Sequence, residues 1–178
     1  MMNRAEVGLE AVLAELAAPG PPALGSALAW SGAMAAAVIE MAAMGGVGEQ
    51  AARSRERLLK LGREDARAYR RFLVSDEDPK LQLLEEATRL PLEIAREARR
   101  LRDAARGNPG SSEARATDIE GSVHLLTSVA AGAARLAGVN AQRGGERLET
   151  MAREAARILA EEAKTLSGWN DSGSNGHG

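Results

Sequence analysis

From Ala23 to Met44 the chain carries a single charged side chain, Glu40. A stretch so long and so uncharged either crosses a membrane or lies at the centre of a folded domain. This one is mostly Ala, Gly and Ser, and it lacks the Leu, Ile and Phe content that drives insertion into lipid. It reads as a buried central helix, from Ser26 to about Met44, ended by Gly45, Gly46 and Gly48. A helix that is apolar almost all round must be covered by others, and alanine supplies the means. Alanine fills most of the apolar quota, while aromatic residues make up 2%. Strands favour β-branched and aromatic residues and alanine is the best helix former, so the expected class is all-α.

Five more helices follow from apolar spacing and breakers. The first starts at Asn3, with Glu6 as a capping-box partner, and sets Leu9, Val12, Leu13 and Leu16 on one face before Pro19-Gly20-Pro21-Pro22 stops it. The third runs from about Glu49 to Phe72, with Leu58, Leu61, Ala68 and Phe72 inward; Gly62 weakens its middle and permits close approach. After the acidic turn Ser75-Asp76-Glu77-Asp78-Pro79, a fourth helix reaches about Arg106, with Pro91 placed to kink or split it. Gly107-Asn108-Pro109-Gly110 forms a turn. A fifth helix spans about Thr117 to Asn140 and a sixth about Gln142 to Leu166. The fourth and sixth are charged outside and the second and fifth much less so, which predicts two central Ala-rich helices sheathed by amphipathic ones. Residues 1–166 make one domain, and the Gly/Ser/Asn-rich residues 167–178 read as a disordered tail.

Several function classes are excluded. With no cysteine there is no disulfide, thiolate chemistry or Cys-based metal site. One of the two histidines, His177, lies in the tail, and His124 alone builds no metal site, so no metal is expected. No Walker loop or dinucleotide-binding glycine motif occurs. A formal net charge of −2 gives no field for nucleic acid. No secretion signal or membrane span is read, leaving the cytoplasm as the expected location.

Four polar features exceed what a plain bundle needs. Pro22-Ala23-Leu24-Gly25-Ser26 enters the second helix, where free N–H groups can meet a carboxylate or carbonyl oxygen, or where Ser26 simply caps the helix. Asp65 and Tyr69 stand four apart and share a helix face. Asp65 lies close to the apolar stripe, where burial raises a carboxyl pKa toward general acid or base use; the alternative is a surface Asp. The third feature is Gly107-Asn108 with Asp118, and the fourth is Asn140. An Asn side chain offers the acceptor and donors that grip a heterocyclic amide, but also caps helices and turns.

In this order the segments resemble the cyclodeaminase/cyclohydrolase family of folate enzymes, over about Val7 to Leu159. Asp65-Ala66-Arg67-Ala68-Tyr69 is similar to the family's Asp-Ala-x-Ala-Tyr, and Ala87-Thr88-Arg89-Leu90-Pro91-Leu92 to its Ala-Thr-x-x-Pro-Leu. Gly107-Asn108, Asp118 and Val139-Asn140 follow at the family's spacing. The family's Pro-Gly-Gly-Gly-Ser loop aligns with Pro22, Ala23, Leu24, Gly25 and Ser26, so two of its glycines are replaced here.

The resemblance implies a formiminotransferase-cyclodeaminase-like helical bundle. It implies a homodimer with a tetrahydrofolate derivative as substrate and no permanently bound cofactor. The implied reaction closes formimino-tetrahydrofolate to the methenyl form with loss of ammonia, or hydrolyses the methenyl form. Asp65 would move the proton and Tyr69 position it. Asn108, Asp118 and Asn140 would orient the pterin, and the Gly25–Ser26 amides would meet a polar end of the substrate. The altered loop motivates the alternative, an inactive homologue that binds folate or another protein.

Overall fold

The computed structural model describes residues 4–17, 24–75 and 81–172. The helices are α1 (Arg4–Ala17), α2 (Leu24–Ala42), α3 (Gly46–Val74), α4 (Leu81–Ala105), α5 (Glu113–Gln142) and α6 (Glu149–Ser172), with a 3-10 turn at Gly145–Leu148 leading into α6. No strand occurs among the described residues, and the all-α expectation holds. The Asn3 cap, the Pro19–Pro22 break, the turn at 76–79 and His177 lie outside the described residues.

Helices α2 to α5 run alternately up and down, and α2 and α5 form the centre: α2 packs on α3 and α5, and α5 on α4 and α6. The faces that meet are made of small side chains, with Ala29, Ala33 and Ala36 of α2 and Ala130, Ala133, Ala134 and Ala137 of α5 all buried. Small residues let helix axes approach closely, so contact comes from backbone proximity rather than from bulky interdigitation. Gly62 permits a close approach of α3 to α2. A Cβ there would fall 2.6 Å from Trp30 Nε1 and 3.2 Å from the Ala29 Cβ, so no side chain fits without displacing the indole. Both central helices are long and apolar enough to cross a membrane by length and composition, and about half of each apolar window is buried inside the bundle.

Helix α4 passes through Pro91 without splitting. Proline at this position has no N–H for the carbonyl one turn back, that of Ala87, and leaves it without its helical partner. Asn140 of α5 fills the gap, its Nδ2 donating to the Ala87 oxygen at 2.8 Å. Thr88, fully buried beside it, turns its hydroxyl back onto the Leu84 carbonyl at 2.7 Å. The Ala-Thr-x-x-Pro segment is thereby self-contained and locked to α5.

The outer contacts are ionic. Glu162 of α6 is fully buried and pairs with Arg102 and, at 3.0 Å, with Arg99 Nε, both from α4. Glu97, also on α4, accepts from Ser54 of α3 at 2.7 Å and pairs with Arg57 and Arg100.

The structure corrects some boundaries. Helix α5 begins at Glu113, capped by Ser112, so Asp118 sits inside the helix instead of opening it. Helix α6 continues to Ser172, into the segment read as a tail, because nothing after Leu166 breaks the helix before Gly173 except Gly168, which a helix tolerates. Helix α1 forms, but among the described residues it has no extensive contact with another helix, and Leu13 is exposed.

Candidate functional site

At one end of the bundle the first turn of α2 meets the last third of α3. Asp65 lies on the buried stripe of α3, four residues after Leu61 and three before Ala68, and is itself only 6% exposed. Its carboxyl faces the N-terminus of α2. The backbone N–H and the hydroxyl of Ser26 both hydrogen-bond to it, with Ser26 Oγ 3.2 Å from Oδ2. The same hydroxyl lies 2.9 Å from the Gly62 carbonyl. Gly25 makes room for this arrangement, since a Cβ there would come within 2.5 to 2.6 Å of all three carboxyl atoms. The helix start therefore does meet an anion, but that anion is supplied by the protein's own α3.

Burial pushes the Asp65 carboxyl above the ordinary range, against the two Ser26 hydrogen bonds that pull it down. Neither cation nor second acid contributes to that balance. A carboxyl with a raised proton affinity and no ion-pair partner is free to exchange a proton with whatever occupies the space beside it.

That space exists. Asp65, Tyr69 and Asn140 line a cavity of about 300 Å³, together with Leu24, Phe72, Leu84, Leu136, Val139 and Arg143. Leu24 borders it and stays 58% exposed. The walls are mostly apolar, with two aromatic rings one helical turn apart on α3, a hydroxyl, an amide, one carboxyl and one guanidinium. A flat, partly polar ring fits such a lining, and the volume stands at the low end of small-molecule sites.

The remaining candidates are at the other end. Asn108, in the α4–α5 turn, is used twice over. Its Oδ1 accepts from Met44 N at 3.2 Å and Gly110 N at 3.1 Å, and its Nδ2 donates to the Met44 carbonyl at 3.1 Å. It staples the turn to the chain leaving α2. Asp118 is half-buried and pairs with Arg115 at 3.5 Å. Since α2 is nineteen residues long, the ends to which Asp65 and Asn108 attach are separated by about 28 Å at 1.5 Å per residue. A second cavity, of about 640 Å³, opens beside Asn108 and is lined by Arg106, Glu120, His124 and Lys164 among others. Within one chain, then, Asp65, Tyr69, Asn140, Gly25 and Ser26 come together, while Asn108 and Asp118 stand apart from them. Among the described residues no group of three or more His, Cys, Asp and Glu side chains is placed to hold a metal ion.

Phe72 and Arg143 are cavity residues that sequence reasoning did not single out. Phe72 carried a usable signal, standing three residues after Tyr69 on the same face. Arg143 carried none, because only the packing of α5 against α2 and α4 brings the residue after its C-terminus there. The chain matches no protein-family model and no curated protein sequence. The resemblance to folate enzymes therefore rests on its motifs alone.

Proposed function

We propose that this chain is a folate one-carbon enzyme, a cyclodeaminase or a methenyltetrahydrofolate cyclohydrolase, with Asp65 as the proton carrier. The observation that carries the reading is the pairing of a buried, cation-free carboxyl with an open cavity sized for a bicyclic ring. In the hydrolytic direction, water adds to the methenyl carbon between two nitrogens and gives its proton to the Asp65 carboxylate. The neutral tetrahedral carbon then collapses. Asp65 returns the proton to the departing nitrogen, the new hydroxyl loses its own to solvent, and 10-formyl-tetrahydrofolate results with net release of one proton. In the deaminating direction the exocyclic anilino nitrogen attacks the protonated formimino carbon, and Asp65 takes the proton of that nitrogen and delivers it to the amine, which leaves as ammonia. Tyr69 and Asn140 hold the ring, Phe72 packs on it, and Arg143 lies at hand for an anionic end of the substrate. The site needs no resident cofactor for these steps, and the setting is the cytoplasm.

The partner on this reading is a second copy of the chain. Met34 and Met41 are exposed on α2, Met44 is exposed just after its end, and Leu125 is exposed on the adjoining α5. Exposed large apolar side chains of this kind suit a self-complementary interface. Sedimentation should return a dimer, and Met41→Glu a monomer.

Methenyl-tetrahydrofolate absorbs in the near ultraviolet, so its consumption tests the enzyme reading directly. Loss of the band faster than the spontaneous rate supports it. A second reading is favoured by Asn108 and Asp118, which are committed to structural contacts at the far end: a homologue that binds folate without turning it over. Saturable binding without turnover would support this second reading. Absence of binding would end both.

A further inference from the structure

Ser26 has one hydroxyl hydrogen and two acceptors within reach, Asp65 Oδ2 at 3.2 Å and the Gly62 carbonyl at 2.9 Å. It is fully buried, in the first turn of α2, so water does not compete for that hydrogen. The Gly62 carbonyl lies on α3 one turn before Asp65, and its second lone pair is free to accept beyond the helical bond. Gly25 holds the carboxyl against this hydroxyl, because any larger residue would drive it out.

We infer that Ser26 is a positioning residue whose hydroxyl switches acceptor each time Asp65 gains or loses its proton. With Asp65 ionised, Ser26 donates to Oδ2. When the carboxyl has taken a proton, its own O–H donates to Ser26 Oγ, and the serine hydrogen turns to the Gly62 carbonyl. No proton is gained or lost by Ser26 in the exchange. In both charge states the Asp65 carboxyl and the Ser26 hydroxyl stay hydrogen-bonded to each other, which lowers the cost of cycling between the states in a buried place. This rests on the proposal that Asp65 is the proton carrier, but it concerns the free protein as well.

Among the described residues, the ionisable groups facing Asp65 across the cavity are few. Helix α3 brings Tyr69 and the end of α5 brings Arg143, whereas α4 contributes only Leu84 and Ala87, and α2 only Leu24, Gly25 and Ser26. The hydrogen bonds of Ser26 are what oppose the burial of Asp65.

The test is the titration of the Asp65 carboxyl carbon by NMR in full-length Ser26→Ala, with Thr127→Ala as a control that loses a buried hydroxyl bonded within its own helix. Removing the Ser26 hydroxyl should raise the Asp65 midpoint by roughly 1 pH unit, and Thr127→Ala should leave it unmoved. In the wild type, the Ser26 Cβ resonance should titrate with the Asp65 midpoint, a readout that needs no variant. An unchanged midpoint in Ser26→Ala, or a flat Ser26 resonance through the Asp65 titration, would overturn the switch. The folate reading fails separately: a shifted midpoint in a protein that never consumes methenyl-tetrahydrofolate leaves the switch standing and removes the enzyme. If turnover is present, the pH limb governed by Asp65 should move to higher pH in Ser26→Ala by the same amount.

Discussion

Asp65 and Glu162 are both buried acids, both pushed upward in pKa by loss of solvent, and they have opposite surroundings. Glu162 is clasped by Arg102 and Arg99 between α4 and α6, and these cations pull its pKa back down. Asp65 has no cation, only a serine and the start of a helix, and it borders a cavity. A buried charge between two arginines is a structural pin, tied in place by its neighbours. A buried carboxyl satisfied by neutral donors can change state without breaking an ion pair. Burial alone does not mark a working acid; the nature of its partners does.

The contrast can be broken most forcefully at the pin. Glu162→Ala leaves the buried Arg102 with Asp103 as its one remaining ion-pair partner among the described residues, and should cost about 3 kcal/mol in urea unfolding. A loss below about 1 kcal/mol would show that Arg102 finds water and that the pair is not a pin. At the other end Gly25→Ala puts a methyl against the Asp65 carboxyl, and should cost about 2 kcal/mol by overpacking. It should abolish any turnover as well, because the carboxyl must leave its seat. Asn140→Ala strands the Ala87 carbonyl opposite Pro91 and should cost about 1 kcal/mol. Restoring a residue with an N–H by Pro91→Ala in the same chain should recover much of that loss, which a double-mutant cycle measures.

Asp65→Asn has the smallest effect on stability and the most definite sign. The folded chain binds the Asp65 proton more tightly than the unfolded chain does. Stability from this group is therefore present at low pH, and it falls as pH rises from the ordinary carboxylate value to the raised folded one. The variant lacks that slope. Across this window the wild type should lose ground to Asp65→Asn, and above it the difference should stay constant, as denaturant titrations at a series of pH values would show.

Much of this was legible in the chain. Helices α2 to α6 follow from three- and four-residue apolar steps punctuated by glycine and proline, and Asp65 could be placed on the buried stripe by counting from Leu61 and Ala68. The partners were harder to read. Pro91 announces an orphaned carbonyl, but nothing in the sequence says that Asn140 would fill it. Helix α1 shows an apolar face, and amphipathicity does not say what that face meets. The separation of Asn108 from Asp65 was within reach of topology. In an up-and-down bundle the α2–α3 and α4–α5 connections share one end, while the α5–α6 connection joins the start of α2 and the end of α3 at the other. Asn140 therefore belongs with Asp65, and Asn108 with Met44. Motif order along the chain carries none of that information, because residues close to a shared motif are set apart by helix direction.

The most direct measurement compares the rate at which the methenyl absorbance disappears with wild type, Asp65→Asn and Glu162→Gln at equal folded concentration. The account predicts consumption above the spontaneous rate for the wild type, a fall to the spontaneous rate for Asp65→Asn, and near wild-type turnover for Glu162→Gln at a temperature where it stays folded. Equal rates for wild type and Asp65→Asn would contradict it.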